Sequence, residues 1–115
     1  MVRINPFALP LIVSCIAAPA LALAQQTIEP ARAQQLASQH ACFGCHAIDR
    51  KLVGPAYRDV AARYAGHQGA FDQLVQHVEN GSAGVWGSVP MPPNHIDHNE
   101  AQAIVQWILA GAKNR

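Results

Sequence analysis

The sequence predicts an all-α fold, on two observations. Four segments repeat apolar residues at helical spacing, and none of the chain between them alternates apolar and polar residues long enough for a strand. The first helix is predicted from about Pro30 to His40, because proline suits a first helical turn and Ala33, Leu36 and Ala37 fall on one face. A second runs from about Ala56 to Tyr64, with Val60, Ala61 and Tyr64 inward and Gly66 as its stop. The third carries Phe71, Leu74, Val75 and Val78, an i, i+3, i+4, i+7 stripe, and ends at Asn80-Gly81. The fourth opens on Asp97 as N-cap, with Glu100 three residues on as a capping-box signal. Its inward face is Ala101, Ile104, Val105, Ile108 and Leu109, before Gly111.

The third and fourth helices are separated by "GSAGVWGSVPMPPNH", residues 81–95. Its glycines and prolines predict irregular backbone, and loops of this length in small domains are usually functional. It holds Met91, the one methionine besides Met1, between Pro90 and Pro92-Pro93.

Residues 1–24 read as a cleaved secretory signal peptide: Arg3 at the start, an apolar run from Phe7 to Leu23, then Ala22-Leu23-Ala24 as a small-x-small cleavage site. The alternatives are retention of that run as a membrane anchor and lipid modification at Cys15. Polar Gln25 and Gln26 after the A-x-A signal favour cleavage, and another apolar run after Cys15 disfavours lipidation. The domain is then residues 25–115. Without Arg3 its seven basic residues balance seven acidic ones, which gives no sign of nucleic-acid or acidic-membrane binding. A domain this small folds alone only marginally and gains from a cofactor in its core.

"ACFGCH", residues 41–46, carries the chemistry. Cys42 and Cys45 alone make no disulfide framework. A redox dithiol of the thioredoxin kind belongs beside βαβ elements, which the pattern lacks. Zinc takes four ligands, and Cys42, Cys45 and His46 are three, too closely packed to surround one ion tetrahedrally. What remains is C-x-x-C-H as a c-type haem attachment: two thiols that can add to the two vinyl groups of one porphyrin, and a histidine that falls beneath the iron. A secretion signal agrees with haem attachment outside the cytoplasm.

Over about residues 30–112 the chain resembles the small bacterial class I cytochromes c of the c-551 kind. The resemblance rests on "GCHAID", "VGPAY", "DVAA", "NGS", "GVWG", "PMPPN" and "EAQ", in that order and at compatible separations. It implies the class I cytochrome c fold, about four helices wrapped around one haem c bound through Cys42 and Cys45. It implies His46 as proximal axial ligand, its Nδ1–H donated to the Pro55 carbonyl, and Met91 as distal ligand. Asn94 corresponds to a residue whose amide donates to the methionine sulfur. Trp86 corresponds to an indole that reaches a haem propionate, which as a buried tryptophan would satisfy its N–H. His77 stands where the family places Arg or His near the same propionate. A solvated surface is the alternative for His77, a simple turn residue for Asn94, and His95 is the rival sixth ligand. His40, His67 and His98 are expected at the surface.

Two departures stand out. The family's aromatic in the first helix is Ala37 here, which leaves Trp107 and Leu109 without a bulky partner from that helix. A proline common before the ligand loop is Ser88. The implied function is one-electron transfer in the periplasm by a monomer that transforms no substrate. Redox proteins would dock transiently at the haem edge, on Leu52, Val53, Val89, Pro90, Pro92 and Pro93. No nucleic acid is bound and, after cleavage, the chain makes no stable membrane insertion.

Overall fold

The computed structural model describes residues 28–114; the signal-peptide reading of residues 1–24, Cys15 included, lies outside them. Four helices are present: α1 (Pro30–Gln39), α2 (Tyr57–Tyr64), α3 (Ala70–Asn80) and α4 (His98–Leu109), with a 3-10 turn at Cys42–Gly44. Among the described residues there is no strand, and no helix is long and apolar enough to cross a membrane. Each helix begins and ends within a residue or two of its sequence-based bounds.

Helix α4 is the centre of the packing, touching α1, α2 and α3. Its apolar face explains why: Ala101, Ile104, Val105 and Ile108 are all buried, joined by Ala103 and Trp107. Against it lie Ala33, Leu36 and Ala37 of α1, Tyr57, Val60 and Tyr64 of α2, and Leu74, Val75 and Val78 of α3. No polar or charged side chain is buried among the described residues, so apolar burial is the main force that assembles the helices.

The small residue at position 37 does not leave Trp107 loose. Trp107 is 3% exposed and meets Tyr57 of α2 edge-on, at 5.5 Å and 75°. Its Nε1 donates to the Lys113 carbonyl at 2.8 Å. The bulky partner therefore comes from α2, and Ala37 lets α1 pack closely instead.

The N-cap of α4 is as expected, since the Asp97 carboxylate accepts from Asn99 N at 2.8 Å. The second half of the capping box is absent. The carboxylate of Glu100 instead accepts from His40 Nε2 at 2.9 Å, across to the end of α1. His40 is thus half-buried and paired, not a plain surface residue. His98 and His67 are exposed as expected, although His98 Nδ1 donates to Glu79 of α3 at 2.6 Å.

Between α1 and the 3-10 turn, Ala41 adopts φ 56°, ψ 23°, the left-handed region. A Cβ there costs roughly 1–2 kcal/mol, part of which glycine would return as unfolded-state entropy. Ala41→Gly is expected to stabilise the holoprotein by about 0.5–1 kcal/mol, raising Tm by roughly 2–8 °C. A thermal melt checks this; an unchanged or lowered Tm would remove the strain argument.

Candidate haem-binding site

The left-handed Ala41 ends α1 and turns the chain into the cysteine loop. Gly44 N donates to Ala41 O at 3.0 Å, while Cys45 N (3.1 Å) and His46 N (3.0 Å) both donate to Cys42 O. This wraps the loop tightly and presents both thiols and the imidazole to one cavity. Cys42 is half-buried and Cys45 exposed. Burial pushes the Cys42 thiol above its ordinary value, an effect partly offset by hydrogen bonding with the Tyr57 hydroxyl. Tyr57 is itself pushed up, first by its own burial and then by Cys42.

His46 is fixed on three sides. Its Nδ1 lies 2.8 Å from the Pro55 carbonyl; a carbonyl can only accept, so Nδ1 carries the proton and Nε2 keeps its lone pair. The Tyr57 ring stacks on the imidazole, with centroids 4.9 Å apart and planes at 17°. Gly54 lies beneath: a Cβ built there would stand 2.5 Å from His46 Cε1, 2.8 Å from Nδ1 and 3.0 Å from Nε2. Only a glycine lets the backbone pass so close to the ring.

The 81–95 segment is more ordered than its composition suggests. Ser82 and Met91 form an antiparallel bridge, with Ser82 N donating to Met91 O at 3.0 Å and Met91 N to Ser82 O at 2.9 Å. Residues 83–90 arch out from that base. Gly81, at φ 77°, makes the close approach possible, because a Cβ there would stand 2.6 Å from Met91 O.

The cavity has a volume of about 310 Å³. Its lining joins Cys42, Cys45, His46 and Pro55 to Trp86, Met91 and His77, over an apolar surface of Val60, Leu74, Val78, Ile104, Val105 and Ile108. Two thiols, an imidazole nitrogen, a thioether and apolar walls suit an iron porphyrin attached at one edge. Zinc finds no such support: among the described residues no three His, Cys, Asp or Glu side chains gather as an ion would require.

Not every predicted site residue behaves as expected. Trp86 lines the cavity, and the protein atoms alone leave it 37% exposed. The arch carries it outside the helical core. Asn94 does not line the cavity. Its Nδ2 donates to Val78 O at 3.0 Å, tying the end of the loop to α3, and a carbonyl is a far better acceptor than a thioether. His95 is exposed and also outside the lining. His77 is half-buried and lines the cavity.

Three contributors escaped the sequence reading: Gly54 beneath the imidazole, Tyr57 stacked upon it, and Arg63. The Arg63 guanidinium donates to Val85 O at 2.7 Å and lies 4.4 Å from the centre of the Trp86 ring. Pro55 was expected to hold the imidazole, but nothing in the sequence marked Gly54 as pressed against it, and Arg63 resembled any charged residue on an exposed helical face.

The cytochrome c family model matches residues 30–112. Cytochrome c-551 of Pseudomonas aeruginosa is 56% identical over 69 residues, which are 60% of this chain and 66% of that protein. Cytochrome c-552 of Hydrogenobacter thermophilus is 51% identical over 77 residues, 67% of this chain and 79% of that protein. Among solved structures, wild-type Nitrosomonas europaea cytochrome c552 superposes with a TM-score of 0.65 at 42% identity, covering 67% of this chain and 96% of that one. The fold, the cysteine loop and these likenesses agree: the chain belongs to the cytochrome c family, as a small class I, c-551-type electron carrier with one haem c bound covalently through Cys42 and Cys45.

Proposed function

We propose that this protein is a periplasmic one-electron carrier whose haem iron is held axially by His46 and Met91. One observation carries the reading: His46, with Nδ1 committed to Pro55, and Met91 line the same apolar cavity. Bound haem supplies the one-electron chemistry, its iron alternating between ferric and ferrous states. The Pro55 carbonyl fixes the tautomer and orientation of the imidazole and raises its basicity. The soft Met91 thioether favours Fe(II), so His/Met ligation raises the potential relative to two histidines. Prolines 90, 92 and 93 and the Ser82–Met91 bridge hold the sulfur in place, and the apolar lining keeps water from competing. Held by both His46 and Met91, the haem would keep no open site for a substrate and would supply electron transfer alone.

Partners would dock at the haem edge. Leu52 is 41% exposed, Val53 58% and Val89 62%, and Pro90, Pro92 and Pro93 are exposed beside them. Such an apolar, nearly uncharged patch suits a brief encounter over a small interface, and a near-neutral domain gives little long-range steering. The periplasmic location rests on the N-terminal segment, and the monomeric state on the family resemblance.

Visible spectra of the oxidised and reduced holoprotein test the reading. Oxidised protein should show the weak red charge-transfer band of sulfur bound to ferric iron, and reduced protein should not bind carbon monoxide. A high-spin or bis-histidine spectrum would reject Met91 as ligand.

Trp86 and His77 are proposed to lie near one haem propionate. An acid near the haem loses its proton more readily when the iron is ferric, so oxidation releases part of a proton and the potential falls as pH rises. The slope is bounded by roughly 59 mV per pH unit for one proton per electron. If His77 takes part in that coupling, His77→Gln flattens the slope. Potentiometry over a series of pH values decides; an identical profile in the variant would exclude His77.

A further inference from the structure

Trp86 has little to hold it in place. It belongs neither to the buried core cluster nor to the hydrophobic residues packed against it, so the helical core does not fix it. Gly84 at φ 73° and Gly87 at φ 121° flank the Val85-Trp86 pair in conformations that glycine adopts readily. The Ser82–Met91 bridge pins only the base of the arch. Among the described residues, one hydrogen bond joins residues 83–90 to the rest of the protein, from Arg63 to Val85 O at 2.7 Å. The same guanidinium covers the Trp86 ring at 4.4 Å.

Arg63 can do this because α2 cannot roll. Val60 and Tyr64 are both buried against the core, which fixes the direction in which the last turn of α2 presents residue 63. A guanidinium is planar, so it can lay its face on an indole while an edge N–H donates to a carbonyl. A lysine ammonium carries the same charge but lacks both the plane and the fork.

We propose that Arg63 is the positioning residue for Trp86, clamping its indole at the haem cavity and thereby helping to set the reduction potential. The inference rests on the reading of Trp86 as a donor to a haem propionate. An N–H donated to that carboxylate disperses its negative charge, which otherwise favours ferric iron. An indole held in place therefore raises the potential, and a released one lowers it.

The test uses holoprotein and four chains: wild type, Arg63→Lys, Trp86→Phe and the double variant. Arg63→Lys keeps the charge, so any effect it has reports the clamp. In reduced wild type the Trp86 indole N–H should show a proton resonance displaced by the porphyrin ring current. Arg63→Lys should move it toward the random-coil position and lower the midpoint potential. In the Trp86→Phe background, Arg63→Lys should leave the potential unchanged, because nothing remains to be positioned. The proposal is overturned if Arg63→Lys matches wild type in both resonance and potential, or if it shifts the potential equally in both backgrounds. A Trp86 resonance without ring-current displacement in wild type would instead reject the placement of Trp86 at the haem. Unchanged Soret and red charge-transfer bands in every chain would show that the site itself is intact.

Discussion

Gly54→Ala is expected to dislodge His46, the proposed proximal ligand. The added methyl would stand 2.5 Å from His46 Cε1, and the ring has no free direction, with Tyr57 stacked on it and Pro55 holding Nδ1. Gly54 is not in the left-handed region, so the cost is steric overlap and not backbone strain. Forcing an extra carbon into a packed site costs about 2 kcal/mol or more, equivalent to roughly 10 °C in Tm for a domain of this size. The holoprotein should melt early, and, with His46 as the proposed ligand, its ferric spectrum should lose the sharp low-spin signature. Gly44→Ala is the control: a Cβ at Gly44 meets nothing within 4 Å, although it lies inside the cysteine loop. If both variants melt together and keep the wild-type spectrum, Gly54 has no part in placing His46.

The second large effect belongs to Met91. Met91→Ala removes the thioether while leaving the backbone pair with Ser82 intact, so the loop should stay closed and the loss be confined to ligation. Axial ligands span about 0.8 V of haem potential, and if Met91 is the ligand as proposed, exchanging the thioether for water would lower this one by on the order of 0.2–0.3 V. The red charge-transfer band should vanish and carbon monoxide should bind the reduced protein. His95→Ala should change none of these, since His95 is exposed and outside the cavity lining. Reversed outcomes for the two variants would make His95 the ligand.

Much of this arrangement is legible in the chain because its signals are local. Helical periodicity located α1 to α4, and Asp97 announced the start of α4 through a bond to a residue two positions away. The cysteine loop is legible because six consecutive residues carry it. What escaped depends on distant partners. Glu100 forms half of a capping box on paper, yet its carboxylate serves His40, sixty residues earlier. Trp107 looked unpartnered because the resemblance directed attention to α1, while Tyr57 of α2 fills the role. Asn94 bonds a backbone carbonyl, and every residue offers one of those, so no sequence signal marks the choice. Gly54 is hardest of all, since its contribution is the absence of an atom.

The Ser82–Met91 bridge has a kinetic consequence. With Met91 as ligand, a sulfur that leaves the iron does so by side-chain rotation while its backbone stays pinned at both N–H and C=O. Such rotations take picoseconds to nanoseconds, and a short tether keeps the sulfur at an effective concentration of millimolar or higher. An external ligand therefore meets an intramolecular rival that returns almost at once. Lasting release requires the slower local unfolding that breaks the paired backbone and frees Asn94 from Val78. Weak ligands should be turned away at concentrations that would saturate an open haem, and replacement by strong ones should proceed at the rate at which the loop opens, independent of how much ligand is added.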